Sequence, residues 1–118
     1  MTQKRCDAHS TEFGLWLREQ AEIDSSLGFA TTNIDYVWHN YRTGQWMFIE
    51  EKRHNKQPAW FQEKIFQLVD KVARLDKNYC GFHVLVFENT NPEDGRMWLD
   101  HKSIEKADLL AFLTFVGI

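Results

Sequence analysis

Asn33-Ile34-Asp35-Tyr36-Val37-Trp38 and Gln45-Trp46-Met47-Phe48-Ile49-Glu50-Glu51-Lys52 read as the two arms of one β-hairpin, since both are rich in β-branched and aromatic residues. Between them, His39-Asn40-Tyr41-Arg42-Thr43-Gly44 has the composition of a turn. A turn centred on Arg42-Thr43 sets Asp35 directly opposite Glu50, and one centred on Thr43-Gly44 sets Asp35 opposite Lys52. Strand side chains alternate with period two, so either register keeps Asp35, Glu50 and Lys52 on one face. A one-residue slip would bring Glu51 round instead.

Two carboxylates placed opposite each other repel, and a fold rarely keeps them so without positive charge between them. A hard divalent cation, Mg²⁺ or Mn²⁺, fits that place, because such ions take oxygen ligands and are often held by one or two carboxylates plus a substrate phosphate. Lys52 points the same way and would serve an attacking water beside a scissile phosphate. The competing reading is a solvated strand edge with a Glu-Glu-Lys-Arg charge cluster. Glu50 and Lys52 end a strongly apolar strand, which places them where a core strand emerges.

Ile34-Asp35-Tyr36-Val37 followed by Met47-Phe48-Ile49-Glu50-Glu51-Lys52 resembles the PD-(D/E)XK nuclease core, an acid on one strand and (D/E)-x-K on the next. Ile34 stands where the family name has proline. Thr11-Glu12-Phe13-Gly14-Leu15 is similar to the first helix of the archaeal Holliday-junction resolvase branch, where an acid assists the metal site, and Glu12 matches it. Gly81-Phe82-His83-Val84-Leu85-Val86-Phe87 and Arg96-Met97-Trp98-Leu99-Asp100 resemble the later strands of that core. The resemblance implies an α/β, restriction-endonuclease-like fold in the order α-β-β-α-β-β-α, with a mixed central sheet of about four strands flanked by helices. It also implies a metal held by Asp35, Glu50, the backbone carbonyl of Glu51 and Glu12, with Asp35, Glu50, Lys52 and Glu12 as the catalytic set. Glu19, seven residues after Glu12, is the rival for the helix acid.

The chain has 118 residues, 43% of them hydrophobic, with nine Phe, five Trp and three Tyr, enough for one core and one domain spanning 1–118. No run approaches the roughly 18 apolar residues of a membrane span, and the first residues lead into polar sequence, so the expectation is a cytoplasmic protein without membrane contact. Cys6 and Cys80 have no CxxC partner, which argues against a zinc ribbon or a disulfide scaffold. Cys6-Asp7-Ala8-His9 has a ligand-like spacing that chance explains.

The net charge of −3 opposes DNA binding as a bulk property, but the basic residues are grouped. Arg53, His54 and Lys56 leave the motif strand together, and Lys64 and Lys71 share a flank of the following helix; these are the candidate DNA contacts. That helix, opened by Pro58 and starting near Ala59, shows an apolar stripe of Phe61, Ile65, Leu68, Val72 and Leu75, with Glu63 and Asp70 outward. The first helix is expected over about Ser10–Ile23, capped by Ser10 or Thr11, with Phe13, Trp16, Leu17 and Ala21 facing the core. The last, about Ile104–Val116, is apolar enough to be core or a dimer surface. Trp38, Trp46 and Trp60 suit either packing or stacking on bases.

The sequence therefore predicts a Mg²⁺- or Mn²⁺-dependent DNA endonuclease, acting as a homodimer because a small core needs a second copy for substrate grip. The alternative is a non-catalytic nucleic-acid or protein binding module on the same fold. A metal-independent small-molecule enzyme is disfavoured, because there is no Gly-rich phosphate loop and no Ser-His or Cys-His nucleophile pattern.

Overall fold

The structure, a computed structural model, describes residues 11–117. Helix α1 (Glu12–Arg18) and two short 3₁₀ turns (Ala21–Ile23 and Ser25–Leu27) precede the strands. There follow β1 (Tyr36–His39), β2 (Trp46–Lys52), α2 (Trp60–Ala73), β3 (Tyr79–Phe87), β4 (Met97–Leu99), β5 (Lys102–Ile104) and α3 (Lys106–Leu113). The five strands form one mixed sheet in the order β1-β2-β3-β4-β5, in which β2 and β3 run parallel and the other pairs antiparallel. A parallel pair needs a crossover, and α2 supplies it.

The β1–β2 hairpin has the register of the Arg42-Thr43 turn: Tyr36 lies against Ile49 and Val37 against Phe48. Asn40 shapes the turn by accepting the Arg42 amide on Oδ1 at 2.9 Å, while its own N–H donates to the Gln45 carbonyl at 2.9 Å. Gly44 closes it at φ +83°, where a Cβ would stand 2.9 Å from the Asn78 side chain.

Alternation along β2 splits the sheet into two faces. Met47 and Ile49 point to the face where Leu85, Phe87 and Met97 meet Leu109 and Phe112 of α3 and Phe115 beyond it, all buried. Phe48 points to the other face, where its ring lies 5.4 Å from Phe82, which stacks 4.4 Å from Phe66 of α2. Glu50 and Lys52 share the α2 face with Phe48.

A bulge interrupts β2–β3 pairing, with Trp46 opposite Tyr79 but Phe48 opposite Phe82. Gly81 sits in it at φ +111°, and a Cβ there would come within 2.8 Å of His83 Nε2. The His83 ring bridges the Cys80 carbonyl (2.9 Å) and Asp100 Oδ2 (2.7 Å). Burial disfavours its charged form, but the hydrogen bonds to Asp100 and Cys80 outweigh burial and raise its pKa above the ordinary histidine value.

Several expectations change. The sheet has five strands rather than about four, because Asp100 and His101, at φ 50° and 71°, make a two-residue hairpin turn that returns Lys102–Ile104 onto β4. Helix α1 ends at Arg18, well short of Ile23, although Thr11 does cap it by accepting the Gly14 amide at 2.9 Å. Phe13 and Trp16 do not face the core; they are 68% and 55% exposed and stack on each other at 6.1 Å. On α2 the packed side is centred on Phe66, and Leu68, Val72 and Leu75 are exposed, because the ring stack on Phe82 fixes the helix rotation. Asp70, expected outward, is half-buried and accepts the Tyr79 hydroxyl at 2.7 Å. Helix α3 takes the core option: Leu109, Phe112 and Phe115 are buried, so the surface expected for dimer contact through Phe112 and Phe115 is not on offer. The Cys6–His9 spacing lies outside the described residues. Among those described, no helix is long and apolar enough to cross a membrane.

Candidate active site

The site forms where β1 stops and β2 continues. The Asn40–Gln45 pair is hydrogen-bonded. Bonded and non-bonded pairs alternate along an antiparallel ladder, so continuing the register puts Asp35 and Glu50 at a non-bonded position, where facing side chains come closest. With β1 ended, the Glu51 N–H on that edge has no strand to meet, and Asp35 Oδ2 accepts it at 2.8 Å. The Asp35 N–H in turn donates to Glu50 Oε1 at 3.3 Å.

Glu50 is 3% exposed, at the end of a core strand. Burial, and after it the negative charge of Asp35, push its carboxyl up to about 7, against the lowering effects of the Asp35 N–H and the Lys52 charge. Lys52 Nζ stands 3.5 Å from Glu50 Oε2 and donates to Gln62 Oε1 at 3.0 Å. Gln62 also accepts the Ala59 N–H at 3.0 Å and donates through Nε2 to Thr32 Oγ1 at 3.0 Å. One amide thus caps α2, ties down the segment ahead of β1 and holds the ammonium beside the carboxylates.

Gln62 was missed by sequence reasoning. Its available signal was local: a Gln three residues past the N-cap is a capping-box position, on the helix that directly follows the motif strand.

The expected residues divide. Asp35, Glu50 and Lys52 come together. The Glu51 side chain lies on the opposite face, 3.5 Å from Arg53 Nε, but its carbonyl shares an edge with its N–H and so lies on the Asp35 side. Glu12 is exposed in the first turn of α1; among the described residues no group of three His, Cys, Asp or Glu side chains is placed to hold a metal ion, so Glu12 does not join Asp35 and Glu50. Arg53, His54 and Lys56 are exposed on the loop leaving β2, which is pinned by the His54 and Asn55 amides donating to the Asn89 and Phe87 carbonyls, each at 3.0 Å. Lys64 and Lys71 lie on the side of α2 opposite Phe66, away from the sheet.

The donor set suits a hard cation. Two carboxylates and a carbonyl offer only oxygen, and two side-chain ligands are what Mg²⁺ commonly takes while keeping waters. A buried, raised carboxyl beside a second acid also marks a place where added positive charge would be stabilising. No protein-family model, curated protein or solved structure matches the chain.

Proposed function

We propose that the chain is a metal-dependent DNA endonuclease of the PD-(D/E)XK type, on a restriction-endonuclease-like core, hydrolysing phosphodiester bonds of duplex or branched DNA with Mg²⁺ or Mn²⁺. The observation that carries this reading is the buried Glu50 carboxyl, pushed up to about 7 beside Asp35, with Lys52 held 3.5 Å away on the same sheet face.

Asp35, Glu50 and the Glu51 carbonyl would hold the cation. When bound, it would supply Lewis-acid stabilisation of charge on the scissile phosphate. Lys52, fixed by Gln62, orients the water that attacks phosphorus and offsets negative charge building on the phosphate oxygens. Gln62 acts through Lys52 and is a positioning residue. Arg53, His54 and Lys56 flank the site on the strand-exit loop and serve as phosphate contacts, and Lys64 and Lys71 would reach only DNA that passes over the outer side of α2. Glu12 stands as an auxiliary acid on the family resemblance alone. Two copies related by a two-fold axis would match the two strands of the substrate, through a surface other than the buried Phe112 and Phe115.

The test is a cleavage panel of linear, nicked, flapped and four-way DNA with Mg²⁺ or Mn²⁺. Wild type cleaves at least one substrate, Asp35→Asn and Glu50→Gln cleave none, and Lys52→Ala loses turnover while keeping the Mn²⁺-induced rise in melting temperature. Wild-type protein that leaves the whole panel intact with either metal refutes the nuclease reading and leaves a binding module.

A further inference from the structure

Beside the carboxylates, on the same face of the sheet, lies a second concavity that the cleavage chemistry does not use. It measures about 240 Å³ and is lined by Asn55, Gln57, Val84, Val86, Trp98 and His101. Val84 pairs with Glu50 and Val86 with Lys52 across the β2–β3 ladder, so its floor is one strand, about 4.8 Å, from the catalytic strand. Trp98 pairs with Val86 and forms the next step outward. The walls are thus an indole and two valines, with two carboxamides and an imidazole around them. No hydrogen bond within the described protein engages the side chains of Asn55, Gln57 or His101, although neighbouring loop residues such as Asn89, Thr90 and Asp94 are tied to one another.

Asn55 and His101 also hold left-handed backbone positions, at φ 59° and 71°. Glycine fits such positions with least strain, and here they carry the polar side chains of the cavity. The pocket is smaller than the roughly 300–1,000 Å³ that drug-sized ligands occupy. A mostly polar slot, with amide and imidazole donors and acceptors around one indole, suits one flat heterocycle with a hydrogen-bonding edge. A base inside a duplex has that edge occupied by its partner and its faces by its neighbours, whereas an unpaired base presents both.

We propose that this cavity captures one unpaired nucleobase of the DNA strand, next to the phosphate held at Glu50 and Lys52. The inference rests on the nuclease reading for its substrate and deepens it: the enzyme acts on DNA with an unpaired nucleotide beside the cut, such as a flap, a bulge or the opened centre of a branch.

Two measurements test it. In the first, a short single-stranded oligodeoxynucleotide carrying 2-aminopurine is titrated with protein in EDTA, and its fluorescence is followed. Stacking against Trp98 changes the emission with wild type, and Gln57→Ala combined with His101→Gly weakens the interaction about tenfold, the scale of one stacked, hydrogen-bonded base. His101→Gly suits its left-handed position, and circular dichroism checks that the double variant folds. In the second, cleavage with Mg²⁺ is compared between fully paired duplex, the same duplex with one unpaired nucleotide beside the cut, and that substrate with an abasic site in the same place. Wild type prefers the unpaired base by about tenfold, and the abasic substrate and the double variant lose the preference. Base capture in EDTA without cleavage of any substrate upholds the pocket and sinks the nuclease reading. Cleavage that is indifferent to the unpaired base, or emission that responds equally in wild type and variant, overturns the pocket.

Discussion

Glu50→Gln should make the metal-free protein more stable, and increasingly so as the pH rises. Glutamine keeps the shape of the side chain and removes the charge that burial and Asp35 disfavour. In the fold the Glu50 carboxyl titrates near 7 against an ordinary value of 4.5, so the folded state holds a proton that the unfolded chain has already released. Stability of wild type therefore falls as pH rises between those values, and the whole penalty is present above 7. Each pH unit between them is worth about 1.4 kcal/mol, so wild type loses roughly 2–3 kcal/mol relative to Glu50→Gln between pH 5 and pH 8. For a chain of this length that is a difference of about 10 °C in melting temperature. The assay is thermal unfolding in EDTA at both pH values, repeated with Mn²⁺. The ion requires the ionised pair, so it should raise the wild-type midpoint more at pH 8 than at pH 5 and leave Glu50→Gln nearly unmoved. A variant whose stability runs parallel to wild type at both pH values would refute the reasoning. A variant less stable throughout would show that the attraction of Lys52 outweighs burial and Asp35.

Gln62→Ala should slow cleavage by about tenfold, less than Lys52→Ala, and cost about 1 kcal/mol in denaturant unfolding, because it removes the cap and the link to Thr32 as well as the Lys52 contact. His83→Phe should abolish a pH dependence of the same direction as that of Glu50 but centred at higher pH, arising from a stabilising charge rather than a disfavoured one. With its folded pKa raised, His83 contributes stability that is complete below about pH 6.5 and is lost as the pH climbs through the folded value, so urea midpoints of the variant and wild type should converge in alkali. Gly81→Ala should destabilise by about 1–3 kcal/mol, since φ +111° and the 2.8 Å approach to His83 leave no room for a methyl group; a midpoint unchanged in urea would contradict it. Phe112→Ser should unfold the protein rather than yield a folded monomer, and circular dichroism with light scattering separates the two outcomes.

The hairpin was legible because its signals are local. β-branched arms, a turn bearing Asn40 and Gly44, and period-two alternation fix which side chains share a face, and the Asp35–Glu50 opposition follows from the turn centre alone. Gln62 was hidden because its meaning depends on the β-α-β crossover, which brings the start of α2 back over Lys52. The rotation of α2 was misread for a related reason: counting aliphatic residues favours Leu68, Val72 and Leu75, but one aromatic stack between Phe66 and Phe82, distant in sequence, decides the packed side. β5 has only three residues and no apolar pattern of its own, so its existence rests on the positive-φ turn at Asp100-His101. The segment around α1 was read as a longer core helix because Phe13, Trp16 and Leu17 recur at helical spacing, yet periodicity reports that a face is apolar without reporting what covers it.

The site owes its geometry to an interruption. Had β1 continued before Tyr36, the Glu51 amide and carbonyl would be spent on ladder hydrogen bonds. Because β1 ends there, Asp35 takes the Glu51 amide, and that single bond both closes the strand edge and holds one carboxylate against the other. Burial of Glu50 follows from the opposite behaviour of β2, which stays paired to β3 as far as Lys52 opposite Val86 and so carries an acid into the sheet interior. An edge strand that stops early beside a central strand that does not is enough to concentrate two carboxylates, a free carbonyl and a lysine at one point. Val84, half-buried, and Val86, buried, pair with Glu50 and Lys52 across the β2–β3 ladder, which is why the base-sized cavity and the carboxylates share a face.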